Sequence, residues 1–320
     1  MHVIVIINGK KKLSTLNKRI LHLLESSDDV LITTHRTRAP FDATNYIQEN
    51  LKDDDTIVCV GGDGTCNEVI NGLILSKKQN VRLAILPDGT GNDFVRNTMP
   101  ISDEIIDRIL KGHGELIDIG KVSSKHCTSR YFLNIAGFGL DGKVVEIMTR
   151  QRENGFGGGM SYSSAIIRGF FSFRKPTVGL ISEDFEYQGK TLLVAFCNGN
   201  TYGNGLIISP DSKLNDNKME VCVFGNLTIW HYIKYLGRIK KGLKIDHPEV
   251  FYYSGNKVTI RSDEELAGQL DGEFQAFHDV QVSILNKKLF LINAIKVGSC
   301  LLYTSPSPRD RTRSRMPSSA

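Results

Sequence analysis

The sequence lacks long apolar runs. None approaches the roughly 18–20 residues with which a helix crosses a bilayer, and the longest, residues 3–7, has the length of a strand. We therefore expect no transmembrane segment. Because no basic stretch precedes residues 3–7, we also expect no signal peptide.

Cysteine is also sparse and scattered. The chain has six cysteines, and no two of them form a Cys-x-x-Cys pair. This spacing argues against a metal cluster or a disulfide framework and is typical of a protein in a reducing cytosol. The predicted location is therefore cytoplasmic.

Positive charge exceeds negative charge only slightly outside the C-terminus. The formal net charge is +5, but residues 304–320 contribute four arginines against one aspartate. The remaining chain is only mildly basic, which is weak evidence for nucleic acid and compatible with an anionic membrane surface. We expect no nucleic-acid partner.

The composition is that of an ordinary globular protein. Hydrophobic residues make up 40% and charged residues 23% of the 320 positions, which excludes a mostly disordered chain, a collagen and a coiled coil. A chain of this length most often forms two domains.

Strand-length apolar segments alternate with helical patterns over the first third of the chain. Strands are predicted at 2–7, 30–34, 56–60 and 81–87, with helical patterns between them, including residues 41–51. This alternation predicts βαβ units and a parallel sheet, with ligands bound beyond the carboxyl ends of the strands.

After about residue 120 the pattern changes to short strands separated by turns, which predicts an antiparallel sandwich or barrel and an α+β fold overall. We predict an α/β domain at 1–122 and a β-rich domain at 123–293, whose last strand is free to return to the first domain. Residues 294–320 are predicted to be a disordered tail that looks like translated adaptor sequence, with a basic targeting tail as the alternative.

A glycine-rich turn follows the third predicted strand. The strand is predicted to end at Val60, and the first glycine loop, residues 61–65, leads into a helix predicted to begin at Thr65. Glycines at a helix N-terminus expose amide groups to an anion, most naturally a phosphate. Asp63 would repel a bare phosphate unless a divalent cation lies between them. The alternative is a structural turn capped by Asp63.

A second glycine loop, residues 88–93, follows the fourth predicted strand. Gly89 and Gly91 flank Thr90, and Asn92 is a candidate N-cap for the helix expected next. Two such loops on adjacent strands would share one nucleotide. The alternative is an ordinary capped helix start.

These segments together resemble the diacylglycerol kinase catalytic domain family, in its bacterial soluble lipid kinase branch, a superfamily shared with NAD kinase and sphingosine kinase. The similar blocks appear in the expected order: GGDGTCNEVING (61–72), LPDGTGNDFVR (86–96), LIDIGKV (116–122), YFLNIAGFGLDGKV (131–144) and LDGE (270–273).

The resemblance implies a kinase that transfers the γ-phosphoryl group of ATP to a lipid hydroxyl, most simply that of diacylglycerol, giving phosphatidic acid. It implies a Rossmann-like nucleotide-binding domain, a β-rich lipid domain and an active site between them. The nucleotide contacts that it implies are Asn8, Thr34, Gly61, Gly62, Asp63, Gly64, Thr65, Glu68 and Thr90. Gly9 stands where the family more often has proline, which leaves the role of Lys10 and Lys11 open.

The LDGE block supplies two carboxylates. Asp271 and Glu273 share a face if the segment is extended, and diverge if it turns at Gly272. Glu273 resembles the family's proton acceptor, with Asp271 as the second candidate. Without the resemblance, Asp-Gly-Glu is usually a surface hairpin.

The resemblance also implies Mg²⁺. Asp63 is assigned to the ion on ATP, and Asp118 either joins that network or is a structural turn residue. A second, structural ion would be held by Asp216 and by the carbonyl groups of Lys213 and Lys218, with Asn217 left-handed in place of glycine. The alternative is a polar hairpin turn.

A lipid acceptor requires peripheral contact with a membrane. Two segments mix apolar, aromatic and basic residues, 162–175 and 228–244, and their alternative role is packing against the core. A homodimer is left open.

Two other functions compete. An NAD kinase shares the GGDGT loop, but TGNDF and LDGE favour the lipid branch. A catalytically inactive nucleotide- or lipid-binding module is disfavoured by the presence of Asp63, Asp271 and Glu273.

Overall fold

The fold is seen in a computed structural model, which describes residues 1–124, 127–153 and 162–293. The predicted tail, residues 294–320, lies outside the described residues. Within the described part of the chain, no helix combines the length and the apolar character needed to cross a bilayer.

Strands and helices alternate at the start of the chain. In order they are β1 (His2–Ile7), α1 (Thr15–Glu25), β2 (Leu31–Arg36), α2 (Asp42–Asn50), β3 (Thr56–Gly61), α3 (Asp63–Ser76), β4 (Arg82–Pro87), a 3-10 helix (Phe94–Asn97) and α4 (Glu104–Lys111). The four strands are parallel, in the order β2-β1-β3-β4.

Helices cover both faces of this parallel sheet. Because side chains alternate along a strand, Ile6 of β1 packs in the cluster that contains Ile47 of α2, whereas Val5 packs on the other face with Ile20 of α1. Every residue of β3 is buried. This double coverage explains why the strands read as continuous apolar runs.

Antiparallel strands dominate the described residues after α4, which also form three helices. The elements are β5 (Glu115–Ser124), β6 (Cys127–Phe132), β7 (Ile135–Gly139), α5 (Leu140–Glu153), α6 (Tyr162–Ser172), β8 (Thr177–Ile181), β9 (Glu186–Lys190), β10 (Leu193–Cys197), β11 (Thr201–Tyr202), β12 (Leu206–Ile207), β13 (Met219–Phe224), α7 (Ile229–Lys240), β14 (Val250–Gly255), β15 (Lys257–Ser262), β16 (Leu266–Leu270), β17 (Glu273–Phe277) and β18 (Val280–Leu291). The sequence pattern did not indicate α5.

Two sheets pack face to face to form the sandwich. A six-stranded sheet, β14-β13-β10-β7-β16-β17, supplies Phe138 and Phe196 to a core in which the other sheet supplies Leu180 and Val282. The predicted fold class, a parallel α/β part followed by an antiparallel β-rich part, is confirmed.

The last described strand joins the two parts of the fold. β18 runs antiparallel to β5 and β15, and its end pairs in parallel with β4, where Leu291 lies opposite Leu83. One ten-stranded sheet therefore extends through both parts. The domain boundaries proposed at residues 122 and 293 stay a prediction.

Candidate functional site

The two glycine loops meet at the carboxyl ends of β3 and β4. Helix α3 begins at Asp63 with Gly62 as its N-cap, so the predicted start at Thr65 was two residues late. A Cβ atom on Gly62 would lie 3.0 Å from the Cα atom of Gly89, so the backbones of the two loops are almost in contact. The first amides of α3 lack partners within the helix, which makes this end suited to an anion.

Asn92 shapes the second loop in a way that differs from our prediction. Its backbone is left-handed, with a φ angle of 52°. Its Oδ1 atom accepts a hydrogen bond from the Gly89 amide at 2.9 Å, and its Nδ2 group donates to the Gly89 carbonyl at 3.0 Å. Asn92 is therefore not an N-cap, because the next helix is a 3-10 helix preceded by Asp93. Its side chain closes the turn that contains Thr90.

The side chain of Asp63, in the first glycine loop, points toward the second loop. Its Oδ1 atom accepts a hydrogen bond from the Phe94 amide at 3.2 Å, and its Oδ2 atom is 3.0 Å from the position of a Cβ atom on Gly91. Burial raises the pKa of Asp63, the Phe94 amide lowers it, and the nearby Asp93 carboxylate raises it further. A cation beside Asp63 would relieve this unfavourable environment of its charge.

Asp93 is a site residue that the sequence analysis missed. Its carboxylate accepts hydrogen bonds from the amides of Asn204 and Gly205, both at 2.9 Å. These bonds attach the turn between β11 and β12 to the second glycine loop. Its place in the TGND stretch was the only available signal.

The segment after β1 closes the other side of the site. The Nδ2 group of Asn8 donates to the hydroxyl of Thr65 at 3.0 Å, and the ammonium of Lys11 donates to the hydroxyl of Thr90 at 3.1 Å. Asn8, Thr65 and Thr90, which the sequence analysis selected separately, therefore lie around one space. Lys11 supplies a positive charge to it.

Two of the selected residues lie further from the loops. Thr34 lines a polar pocket with Gly9 and Lys10, and it lies inside β2 rather than at its end, because the strand continues to Arg36. Glu68 accepts a hydrogen bond from the Ala43 amide at 3.2 Å, near the N-terminus of α2. Burial raises the pKa of Glu68.

The LDGE segment turns, so its two carboxylates diverge. Asp271 and Gly272 both have positive φ angles, 49° and 86°, and connect β16 to β17. Glu273 starts β17 with its Oε1 atom directly against Gly64, where a Cβ atom would collide with it. The structure therefore brings Glu273, from the C-terminal part, to the first glycine loop.

The Asp271 carboxylate accepts four hydrogen bonds. Its Oδ1 atom accepts hydrogen bonds from the amides of Asn134 at 2.9 Å and Ile135 at 3.2 Å. Its Oδ2 atom accepts from the Leu133 amide at 2.8 Å and from the Asn67 side chain at 3.0 Å. Burial raises the pKa of Asp271 to about 6, although these hydrogen bonds lower it. With both oxygens occupied, Asp271 holds the β6–β7 connection against α3.

Two buried asparagines attach α3, the helix after the first glycine loop, to the C-terminal part, and the sequence analysis missed both. Asn67 and Asn71 each donate to the Tyr131 carbonyl at 3.0 Å, and the Asn71 Oδ1 atom accepts from the Tyr131 amide at 3.0 Å. The sequence signal that could have indicated them is the spacing of four residues between Asn67 and Asn71, which places two polar side chains on one face of a helix that is otherwise mostly apolar. Their bonds fix the distance between the first glycine loop and Glu273.

Asp118 connects two segments of the C-terminal part through its carboxylate. It is fully buried, and its carboxylate accepts hydrogen bonds from the amides of Asn217 and Lys287, both at 2.7 Å. Each oxygen accepts one backbone amide, which fits the structural alternative, and a part for Asp118 in a metal network at the nucleotide stays a prediction.

The loop proposed for a structural ion is anchored by Asp118. Asn217 is left-handed, with a φ angle of 59°, as the substitution for glycine required. Asp216 is exposed and accepts a hydrogen bond from the Lys218 amide at 3.1 Å. The described residues contain no group of three or more His, Cys, Asp or Glu side chains placed to hold a metal ion. The possible donors here are one carboxylate and backbone carbonyls, which are the oxygen ligands that Mg²⁺ accepts together with water.

A small apolar cavity lies between the six-stranded sheet and helices α5, α6 and α7. Leu140, Ile166 and Tyr232 are among its lining residues. Asp141 also lines it, and burial raises the pKa of Asp141 to about 7. The sequence analysis quoted Asp141 only as part of a block and missed its burial.

Comparison with known proteins finds two family models that match this chain. Residues 2–122 match the family "Diacylglycerol kinase catalytic domain", and residues 134–293 match the "YegS C-terminal NAD kinase beta sandwich-like domain". A diacylglycerol kinase of Bacillus subtilis (strain 168) is 29% identical over 247 residues, covering 76% of this chain and 79% of that protein.

Two further relatives agree with these matches. A diacylglycerol kinase of Staphylococcus haemolyticus (strain JCSC1435) is 31% identical over 252 residues, covering 76% of this chain and 72% of that protein. A crystal structure of a diacylglycerol kinase from Bacillus anthracis (strain Sterne) superposes with a TM-score of 0.68 at 25% identity, covering 91% of this chain and 96% of that one. The chain therefore belongs to the diacylglycerol kinase family and is an enzyme of the lipid kinase class.

Proposed function

We propose that this protein transfers the γ-phosphoryl group of ATP to the hydroxyl of a membrane lipid, with diacylglycerol as acceptor and phosphatidic acid as product. The observation that carries the proposal is the contact between the Glu273 carboxylate and Gly64. It brings a carboxylate from the β-rich part to the loop that is suited to bind phosphates. Such a carboxylate is positioned to accept a proton from an acceptor hydroxyl.

The phosphates of ATP lie at the N-terminus of α3, between the two glycine loops. These loops contain Asp63, Asp88 and Asp93 but no basic residue, so positive charge must come from outside them. Lys11 supports this role because its ammonium already contacts Thr90. The nucleoside extends toward the polar pocket that Thr34 and Lys10 line.

Glu273 acts as the general base, and Asp271 positions the turn that carries it. Both oxygens of Asp271 already accept hydrogen bonds, three of them from backbone amides, which leaves it little capacity to take a substrate proton. Glu273 is exposed at the start of β17. Glu273 therefore fits the role better than Asp271.

Mg²⁺ accompanies ATP in this proposal. When bound, it neutralises charge that develops on the transferring phosphoryl group. Asp63 would hold this ion, since its half-buried carboxylate faces the second glycine loop. A second, structural ion would be held by Asp216 with the carbonyl groups of Lys213 and Lys218, on the loop that Asp118 fixes.

The apolar cavity supports a lipid as the acceptor. It is lined largely by aliphatic and aromatic side chains, and a soluble dinucleotide would gain little from such a surface. The relatives named as diacylglycerol kinases support diacylglycerol as the first lipid to test. The enzyme reaches it from the cytoplasmic side by peripheral contact with the membrane.

The function is tested by measuring ATP consumption with diacylglycerol vesicles, with soluble NAD, and without acceptor. We expect phosphatidic acid to form only in the first reaction. Turnover with NAD alone would identify an NAD kinase, and no turnover with any acceptor, including a total lipid extract, would identify an inactive binding module.

The base is tested by Glu273→Gln, which keeps shape and hydrogen bonding. Loss of a general base typically lowers kcat by about 10²–10⁴-fold, while the KM for ATP should change little. Asp271→Asn is the matched variant. If it loses kcat with an unchanged melting temperature while Glu273→Gln stays active, Asp271 is the base.

A further inference from the structure

A buried glutamine lies between the apolar cavity and the turn that carries Glu273. Gln269, on β16, is only 3% exposed. Its neighbour Leu270 packs in the core between the two sheets, so Gln269 points to the opposite face of its sheet, toward α5. A buried amide group costs free energy unless it is hydrogen-bonded. The two hydrogen bonds of Gln269 therefore indicate what this side chain does.

One end of the Gln269 side chain holds the turn. Its Oε1 atom accepts a hydrogen bond from the Gly272 amide at 2.8 Å. Asp271 and Gly272 are the two-residue connection between β16 and β17, because Leu270 pairs with Glu273. Gly272 is exposed, and a Cβ atom there would meet nothing within 4 Å, so side-chain packing does not hold it. The hydrogen bond from Gln269 acts one residue away from the candidate base.

The other end of the Gln269 side chain reaches the cavity. Its Nε2 group donates a hydrogen bond to Oδ2 of Asp141 at 3.2 Å. Asp141 lies in the first turn of α5 and is one of the residues that line the cavity. The Gly272 amide requires an acceptor, so Oε1 must face the turn and Nε2 must face Asp141. The direction of both hydrogen bonds is therefore fixed.

Asp141 lies flat against the sheet because the residue beneath it is a glycine. A Cβ atom on Gly137 would overlap the Asp141 carboxylate, and Gly137 lies opposite Gln269 in the pairing of β7 with β16. The Oδ1 atom of Asp141 accepts a hydrogen bond from the Gly142 amide at 2.8 Å. Burial raises the pKa of Asp141 to about 7, and the hydrogen bond from Gln269 lowers it. Asp141 is a polar group fixed in the wall of a largely apolar cavity.

We propose that Gln269 is a positioning residue, which transmits the binding of an acceptor lipid in the apolar cavity to the turn that carries Glu273. The polar group of the acceptor contacts Asp141, Asp141 holds the Nε2 end of Gln269, and the Oε1 end holds the Gly272 amide. Because Oε1 and Nε2 belong to one planar amide group, neither hydrogen bond can change direction without changing the other. Gln269 itself touches no reacting atom.

This inference deepens the proposed function and rests on it for the acceptor and the base. Asp271 fixes the turn from the side of the β6–β7 connection, whereas Gln269 fixes it from the cavity wall. Glu273 is then best placed when the cavity is occupied. Such coupling favours transfer of the phosphoryl group to the lipid over transfer to water.

The variant Gln269→Leu removes both hydrogen bonds and keeps a side chain of similar size. With dioctanoylglycerol as acceptor, kcat should fall roughly 10²-fold, the loss expected when a catalytic group is misplaced by about 1 Å. The KM for ATP should stay as in the wild type, because Gln269 lies outside the two glycine loops. The matched control is Gln275→Leu, a half-buried glutamine on the adjacent strand β17, which should keep the wild-type kcat.

Exchanging the amide and the carboxyl group separates positioning from a loss of packing. Gln269→Glu keeps an acceptor for the Gly272 amide but sets a carboxyl oxygen, in place of a donor, against Asp141, and it should lower kcat. Adding Asp141→Asn restores one amide and one carboxyl group with their places exchanged. This double variant should have a kcat at least roughly tenfold above that of Gln269→Glu, with the KM for ATP unchanged. The comparison stands even if Gln269→Leu fails to fold.

The coupling is also measurable without turnover. In the full-length protein, the NMR resonance of the Gly272 amide reports on its hydrogen bond to Gln269. Without ATP, dioctanoylglycerol in detergent micelles should shift this resonance in the wild type and leave it in place in Gln269→Leu. Micelles without the lipid are the control and should shift neither.

Three outcomes would overturn the inference. They are a wild-type kcat in Gln269→Leu, an exchanged pair that recovers the melting temperature but not the kcat, and a Gly272 resonance that is unaffected by dioctanoylglycerol although the lipid is phosphorylated. The last outcome would leave the proposed function intact. A shift of the Gly272 resonance with the lipid, without phosphorylation of any lipid, would refute only the proposed function.

Discussion

Gly64 is the position where a single methyl group would test the proposed site most directly. A Cβ atom there would overlap Oε1 of Glu273, the end of a flexible side chain. Gly64→Ala should therefore displace the Glu273 carboxylate while leaving the phosphate-binding backbone in place. Gly64 is a helical position without a positive φ angle, so alanine fits the backbone.

The structure sets the expected size of both effects. Alanine in place of a helical glycine stabilises by about 0.5–1 kcal/mol, which opposes any stability lost when the Glu273 side chain moves. Displacing a general base by about 1 Å costs roughly 10²-fold in rate, or ~3 kcal/mol in the barrier. Gly64→Ala should therefore have an unchanged or slightly higher melting temperature and a much lower kcat.

Steady-state kinetics and thermal unfolding test this prediction together. Gly237→Ala is the matched control, because it also replaces a helical glycine but its Cβ atom would meet nothing within 4 Å. Its kcat should be unchanged. Adding Glu273→Asp to Gly64→Ala shortens the displaced side chain and should restore part of the lost kcat.

The opposite kinetic pattern would refute this reasoning. If Gly64→Ala raises the KM for ATP and leaves kcat unchanged, Gly64 is required for the approach of the phosphates and not for the position of Glu273. If Glu273→Asp lowers kcat further in the Gly64→Ala background, the methyl group is not acting through Glu273.

Three further predictions follow from other parts of the site. Asp63→Ala should fold but lose more than nine-tenths of wild-type turnover; a loss below ~1.4 kcal/mol in the barrier would contradict a metal role. Lys11→Met should raise the KM for ATP without lowering the melting temperature. Lys12 is the adjacent exposed lysine, and Lys12→Met should leave both the KM for ATP and the melting temperature unchanged. Because the folded-state pKa of Asp141 is raised from 3.8 to about 7, its contribution to stability is complete below pH 4 and falls by roughly 4 kcal/mol as the pH rises to 7. Urea unfolding of Asp141→Asn should lack this fall, and a pH profile identical to that of the wild type would show that folding does not raise the pKa of Asp141.

Local chemistry made the first third of the chain predictable. Each parallel strand is a short apolar run because both of its faces are buried. The two glycine loops could be recognised in the sequence because several glycines close together indicate a backbone that another group approaches closely. The errors there were small and also local: α3 starts at Asp63, β2 extends past Thr34, and Asn92 closes a turn. The resemblance that rests on these blocks was confirmed by the family matches.

The arrangement of the carboxylates required the tertiary structure. Asp-Gly-Glu has the same local pattern in a surface hairpin and in this site, and only long-range contacts distinguish them. Glu273 meets Gly64 because Asn67 and Asn71 attach α3 to the C-terminal part, and because Asp271 accepts amides from a connection far away in sequence. By itself the sequence determined the strands and helices of the first third and the two glycine loops, since those depend on neighbouring residues. The tertiary structure decided which carboxylate meets the first glycine loop and which accepts the amides of the β6–β7 connection, because that depends on contacts between residues far apart in the chain.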